Sequence, residues 1–328
     1  DLFGTAPEYV FNLIERFQIR AEATQAGTIH AAHAPAGMIE LKGRYAAWKA
    51  MGAPVELLSL EAVAAKTGTK SFFGGLLDNR AGTINPMGYC HGLARVALAA
   101  GVRIARHCPV IRLEKQAGGW LVYSADHVMT AKTVALATNA YTDKAQPWLR
   151  RRLVPVISEM IATEKIGRNR VQSLMPRLTM FGESKQLGYY YRPSPDGERI
   201  LLGGRRAHDN NDRARRHLHG ALAAIFPTLD DVRVDSHWQG FVAFPFDQLP
   251  KLVIRAGIIY PTGFCGSGTV WARWLGQKAA LMILGRDGES VFSNLPLRTM
   301  PFYTGDPWFM PLAMSYYKLR DSLSASTK

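Results

Sequence analysis

Between Gly263 and Gly276 the chain reads GFCGSGTVWARWLG, four glycines in fourteen residues where an apolar run meets an amphipathic one. Glycine lets backbone approach a flat or charged ligand with no Cβ in the way, and the N–H groups that open a following helix attract an anion. Gly263, Gly266 and Gly268 are spaced G-x-x-G-x-G, which is not the G-x-G-x-x-G of a dinucleotide pyrophosphate turn. None of the 30 glycines supplies that fingerprint. Taken alone, the segment also suits an ordinary helix start capped by Thr269 and packed on Trp271, Trp274 and Leu275.

A second group with chemical potential is Tyr189, Tyr190, Tyr191 and Arg192. Alternate residues of a strand share a face, so Tyr190 and Arg192 would point together, the arginine toward a carboxylate and the tyrosine ring toward an amine. Trp238, Phe241, Phe244 and Phe246 would wall an amine channel, although aromatic residues in such numbers also build cores. The nine histidines show no metal spacing, and His217 and His219 lie on different faces of one helix. Cys90, Cys108 and Cys265 have no C-x-x-C spacing, so neither a metal site nor a disulfide framework is expected, and a reducing, cytoplasmic setting fits best.

The elements that would carry these groups follow from periodicity. Val10, Leu13, Ile14 and Phe17 mark a helix over 5–20, and GTIHAAHAPA reads as strand and turn. Two helices follow, GMIELKGRYAAWKAMG and SLEAVAAKTG, the second with Ser59 as N-cap. SFFGGLLDNRAGTI reads as paired short strands around Gly74 and Gly75. Pro86 starts a helix that Gly101 ends. Strands are expected at Val102–Ala105, Val110–Glu114 and Trp120–Ser124, with a fully apolar strand at Thr133–Thr138. From Pro147 to about Trp238 the alternation of VPVISEMIAT, GYYYRPS and RILLGG predicts an antiparallel sheet, with one charged helix over Asp212–Phe226. The last forty residues read as an extended tail.

With 328 residues and mean hydropathy of -0.07, the chain has the size and composition of a globular protein of two domains or one large one. It has no apolar run long enough to span a membrane. The net charge of +14 raises the question of nucleic acid, but the arginines of RRAHDNNDRARRHLHG are interleaved with Asp209 and Asp212 as on a solvated helix face. No nucleic-acid partner is expected.

The order AG-x-I-x-P, helix, AGVRI, P-V-x-R-L, GGW-x-V, VALATNAYT, YYRPSPDGERILLGGR, W-x-G, D-x-L-P and G-x-x-G-x-G resembles the D-amino-acid oxidase superfamily of FAD-dependent oxidoreductases. Within it the likeness is to gamma-glutamylputrescine oxidoreductase-like and glycine/sarcosine oxidase-like members, and it covers nearly the whole chain. The resemblance implies an α/β (α+β) fold: a Rossmann-like FAD-binding domain, incomplete at its amino end, with an antiparallel-sheet substrate domain. It assigns 1–20, 80–146 and 241–290 to FAD binding, 21–79 and 147–240 to substrate binding, and 291–328 to a carboxyl-terminal tail. Val110 would meet the adenine, and Ala137, Thr138 and Asn139 the nucleotide, with Asn139 in place of the commoner glycine. Gly263, Phe264, Cys265, Gly266, Ser267, Gly268 and Thr269 would run beneath the isoalloxazine ring. Tyr190, Arg192 and Phe244 are the candidate substrate contacts.

The implied reaction is oxidation of an amine or amino-acid C–N bond, with oxygen or another acceptor taking the electrons. Gly240 stands where sarcosine oxidase-like members carry the flavin-linking cysteine, and Val270 where they carry a substrate-binding lysine. Noncovalent FAD and a substrate longer than sarcosine, such as a γ-glutamyl polyamine derivative, are therefore expected. The absent fingerprint and the first residue, Asp1, suggest an amino-terminally truncated sequence. The alternative expectation is a noncatalytic or partner-dependent remnant of the same fold.

Overall fold

The computed structural model describes residues 2–177, 179–208, 210–293 and 295–326. In chain order its first elements are α1 (Leu2–Arg16), β1 (Thr28–Ala31), α2 (Pro35–Ala50), β2 (Val55–Leu58), α3 (Leu60–Thr67), β3 (Gly75–Asp78) and α4 (Pro86–Ala99). Next come β4 (Arg112–Gln116), β5 (Gly119–Tyr123), β6 (Val128–Ala131), β7 (Val134–Ala135), α5 (Pro147–Arg150), β8 (Val154–Thr163), α6 (Arg168–Leu174), β9 (Met180–Glu183), β10 (Tyr190–Pro193) and β11 (Ile200–Arg205). The chain ends with α7 (Asn211–Ile225), β12 (Val234–Phe244), β13 (Lys251–Arg255), β14 (Ile258–Thr262), α8 (Gly268–Ile283) and α9 (Met310–Ser326).

Local chemistry explains several boundaries. The Ser59 hydroxyl accepts the Ala62 N–H at 3.2 Å and so caps α3, which Gly68 ends in the left-handed region at φ 71°. Asn210 caps α7 in the same manner, accepting from the Arg213 N–H at 3.0 Å.

The contacts gather the chain into two compact units. The first comprises 1–90, 157–240 and 309–328. Its sheet runs in the order β12-β8-β11-β10-β9-β1-β3-β2. The registered pairs from β8 to β2 are antiparallel except for β1 beside β9. One face is covered by α7, whose Ala214, Leu218, Leu222 and Ile225 are buried. Against them lies a core that includes Phe181, Tyr191, Leu202 and Phe226, with Tyr191 stacked on Phe181 at 5.3 Å between ring centroids.

Two glycines of β11 set the thickness of this sheet. A Cβ on Gly203 would fall 2.4 Å from the Tyr190 ring, and one on Gly204 would fall 2.9 Å from the Tyr189 ring. Each tyrosine ring therefore occupies the space of a missing side chain, Tyr190 on the Met160 side and Tyr189 on the Leu218 side.

The second unit comprises 91–156 and 241–308. It holds the sheet β13-β14-β7, a separate meander β4-β5-β6, and α8. All five residues of β14 are buried, and Ile258 and Tyr260 join Trp120, Leu149, Leu153 and Ala243 in its core.

Several expectations require correction. SFFGGLLDNRAGTI forms one strand, β3, which pairs with β1 and β2 rather than folding on itself. Val102–Ala105 forms no strand, and Val102 and Ile104 are exposed. The expected strand Thr133–Thr138 contracts to β7, with Ala135, Ala137 and Thr138 exposed, because β14 is its single partner among the described strands. The last forty residues are not wholly extended, since α9 occupies seventeen of them.

Candidate functional site

In the second unit, two parallel strands deliver the site. Ile258 and Ile259 of β14 register with Val134 and Ala135 of β7, and the Leu136 N–H donates to the Ile259 carbonyl at 2.8 Å. Both strands therefore finish on the same side: one in the turn Asn139–Tyr141, the other in the loop Gly263–Ser267. The carboxyl edge of parallel strands is where α/β sheets place ligands, because the chain must leave the sheet there and its backbone groups are free of the ladder.

Asn139 joins the two. Its Oδ1 accepts the Gly263 N–H at 2.9 Å and the Thr262 hydroxyl at 3.3 Å. Its φ of 45° lies in the left-handed region, which glycine adopts freely and asparagine more readily than other residues. The position thus has a reason to be asparagine: it keeps the conformation of a glycine while adding an acceptor that pins the loop.

Across the loop, φ is 74° at Gly263, 51° at Cys265 and 89° at Gly266. The glycines are not equivalent. A Cβ on Gly263 would meet Pro245 at 2.3 Å, whereas one on Gly266 would meet nothing within 4 Å. Gly263 is therefore demanded by packing, and Gly266 faces open space. Gly266, Ser267 and Thr269 are exposed at the head of α8. Thr269 is not the cap expected from the sequence: Ser267 holds the N-cap position and contributes no side-chain hydrogen bond, while Thr269 lies inside the helix. Trp271, Trp274 and Leu275 anchor α8 by burial. An exposed glycine backbone leading into a helix with no side-chain cap leaves its N–H groups open to an anionic or electron-rich partner.

Behind the loop lies a pair that the sequence reading missed. Lys251 is fully buried in β13, opposite Thr262, and its Nζ meets Asp247 Oδ2 at 2.5 Å. The signal was available: Asp247 of D-x-L-P and Lys251 are four residues apart, and a lysine within an apolar strand needs a partner. Burial pushes the Cys265 thiol up to about 12, with Asp247 adding to the effect and Lys251 opposing it. The Cys265 N–H donates to the Ala243 carbonyl at 3.1 Å, which ties the loop to the end of β12 beside Phe244.

Asn139, the loop and the residue next to Phe244 are thus brought together, with Ala137 and Thr138 on the turn that leads to Asn139. Val110 stands apart, exposed just before β4 of the separate meander.

In the first unit, Tyr190 and Arg192 share a face of β10, while Tyr191 and Pro193 are buried on the other. The Tyr190 and Ser158 hydroxyls are 2.5 Å apart, and burial raises the Tyr190 phenol above its ordinary value. Arg192 is half-buried and forms no ion pair among the described residues. Burial lowers its guanidinium pKa, with the nearby Glu22 carboxylate opposing the shift. A guanidinium so placed suits a carboxylate brought by a ligand. Among the described residues no group of three His, Cys, Asp or Glu could hold a metal ion, and no helix is long and apolar enough to cross a membrane.

Residues 1–282 match the family of DAO, FAD dependent oxidoreductases, and the chain belongs to it. It is 28% identical over 326 residues to gamma-glutamylputrescine oxidoreductase of Escherichia coli (strain K12), covering 96% of this chain and 75% of the relative. It is 27% identical over 274 residues to probable oxidoreductase OrdL of Rhizobium meliloti (strain 1021), covering 81% and 63% respectively. A second OrdL, from Haemophilus influenzae, is 29% identical over 77% of the chain and 60% of its own length. The chain thus spans about three fifths to three quarters of these relatives. In fold it is similar to glycine oxidase from Geobacillus kaustophilus, with a TM-score of 0.76 at 18% identity over 90% of this chain and 80% of the other.

Proposed function

We propose that the second unit holds the flavin end of a noncovalently bound FAD, and that the protein to which this chain belongs oxidises the C–N bond of an amine or amino acid. The observation that carries this reading is the loop itself: an open glycine backbone at the carboxyl edge of β7 and β14, pinned by Asn139 and leading into α8. Gly263 to Thr269 would lie along the ring, and the amino end of α8 would favour negative charge on the reduced flavin. Ala137, Thr138 and Asn139 would meet the nucleotide, and Val110 the adenine. The proposed functional division assigns 1–20, 80–146 and 241–290 to the cofactor, 21–79 and 147–240 to the substrate, and 291–328 to a tail.

FAD, when bound, supplies a hydride acceptor for the amine, whose imine product water then hydrolyses. The chain's own residues would orient the substrate: Arg192 toward a carboxylate, Tyr190 and Phe244 toward the amine-bearing chain. A γ-glutamyl polyamine derivative combines a carboxylate with a distal amine and is the substrate class proposed. Val270, standing where related oxidases of short substrates carry a lysine, accords with a longer one. Oxygen or another acceptor would take the electrons, and nucleic acid has no part in the reading. A cytoplasmic location is proposed on the strength of three cysteines without metal or disulfide spacing.

The test is a titration with FAD followed by visible absorbance and flavin fluorescence, then anaerobic addition of γ-glutamylputrescine or sarcosine. Binding lost in Gly266→Val while far-UV circular dichroism is retained, and faster bleaching by the longer amine, are the expected results. Full FAD stoichiometry in Gly266→Val would overturn the loop assignment. Equal bleaching by sarcosine would overturn the substrate class.

A further inference from the structure

The first unit carries a cavity of about 460 Å³ for which the proposed reaction has no use. It lies on the α7 side of the large sheet, lined by Tyr189, whose ring occupies the space over Gly204. Tyr190 and Arg192 point to the other face. Strand alternation therefore separates this cavity from the candidate substrate contacts by the thickness of the sheet.

Its origin is legible in α7. His217, Gly220, Ala221 and Ala224 follow one another at helical spacing beside the buried stripe Ala214, Leu218, Leu222 and Ile225. Three small residues where the helix passes Ser71 and Phe72 leave a gap that a leucine would have filled.

The charges around the gap are mostly answered in pairs, Glu40 by Arg44 among them, and leave Arg216 over. Glu183 is buried, and its Oε2 is committed to Lys185 Nζ at 3.1 Å and to the Tyr189 N–H at 3.3 Å. Asp321 of α9, which acts on His33 from outside, accepts the Gln186 and Leu187 N–H groups at 2.9 and 3.0 Å. Arg216 lines the cavity with no ion pair among the described residues, and Lys318 adds positive charge near His217.

The polar wall is completed by neutral groups. The Tyr189 hydroxyl and His217 Nε2 are 2.9 Å apart, and His33 Nδ1 is 2.7 Å from the Ser184 hydroxyl. Burial, with Lys185 as a lesser cause for His33 and His208 for His217, lowers both imidazole pKa values. Phe72, Ala221, Ala224 and Ile225 form the apolar wall. The described residues offer no metal-binding group of three, so a cation is not the natural occupant.

The geometry points to a second ligand site on this face, for a small organic monocarboxylate with its head toward Arg216 and its hydrocarbon over Phe72, Ala221 and Ala224. The volume lies in the range of small-molecule sites, and the apolar wall distinguishes an organic acid from a bare inorganic anion. The site is independent of flavin.

Calorimetric titration of the purified chain with hexanoate tests the proposal, with hexanamide, hexylammonium and inorganic phosphate as comparison probes. One hexanoate per chain is expected, with each comparison probe at least tenfold weaker. Arg216→Glu, an exposed change, and Ala224→Phe, which fills the gap, should each weaken hexanoate at least tenfold, whereas Arg192→Ala on the other face should leave it unchanged. Circular dichroism reports whether Ala224→Phe folds, and Arg216→Glu decides the matter if it does not. The site is overturned if hexanoate fails to bind, if hexanamide or phosphate binds as well, if Arg216→Glu has no effect, or if Arg192→Ala abolishes binding.

Discussion

At the scale of single residues, Asn139 separates conformation from hydrogen bonding. Asn139→Ala places a Cβ-bearing residue without a compensating acceptor at φ 45° and orphans the Gly263 N–H. The expected loss is about 2–4 kcal/mol, the sum of left-handed strain and one unsatisfied group. Asn139→Gly retains the conformation and should lose only about 1–2 kcal/mol. Urea unfolding of both variants checks the order, and equal losses would mean that Oδ1 does not pin the loop. His30, in β1, bears on pH. Burial, with Arg44 as the next cause, lowers its pKa from 6.5 to about 4. The unfolded chain therefore takes up this proton first. Stability is full above pH 6.5, falls as pH drops toward 4, and has then lost about 3 kcal/mol from this group. His30→Gln should flatten that part of the stability profile, and an unchanged slope would count against it.

At the scale of elements, the glycine loop and the strand behind it make opposite demands. Gly263→Ala would drive a Cβ to 2.3 Å from Pro245 and should cost about 2–4 kcal/mol of stability. Gly266→Ala meets open space and should cost only the backbone strain of about 1–2 kcal/mol, with its larger effect on flavin affinity. Thermal unfolding beside FAD titration separates the two. For the pair beneath, Asp247→Ala leaves a fully buried ammonium without its carboxylate and should destabilise by about 3 kcal/mol, whereas Lys251→Met should be near neutral. A larger loss from Lys251→Met would show that the lysine has other partners. These elements also show where the sequence was informative. Helix α3 was readable because its cap, Ser59, and its helical period agree. The strand expected at Val102–Ala105 failed because apolar runs are strands only when a partner pairs them, and α9 was missed because the aromatic residues and prolines before it masked the helical segment.

At the scale of the molecule, the order of short motifs made the family legible, since several fragments in sequence constrain a fold more than any one of them. The site was legible in part. Gly263, Gly266 and Asn139 were named for closeness to a ligand, but the hydrogen bond joining them across 124 positions of sequence could not be read from spacing. Lys251 and Asp247 went unnoticed because their meaning depends on burial. The excess of positive charge, +14, accords with anionic ligands at both the flavin loop and the α7 cavity. The thiols have a further consequence. Cys90 is exposed, whereas Cys265 sits in the loop with its thiol pushed up to about 12. Burial thus disfavours the thiolate of Cys265, the form that reacts. Alkylation should therefore modify Cys90 quickly and Cys265 only as the loop opens, so that peptide mass spectrometry of a timed reaction turns Cys265 into a built-in clock for loop opening, one that any ligand seated on the glycine backbone should slow.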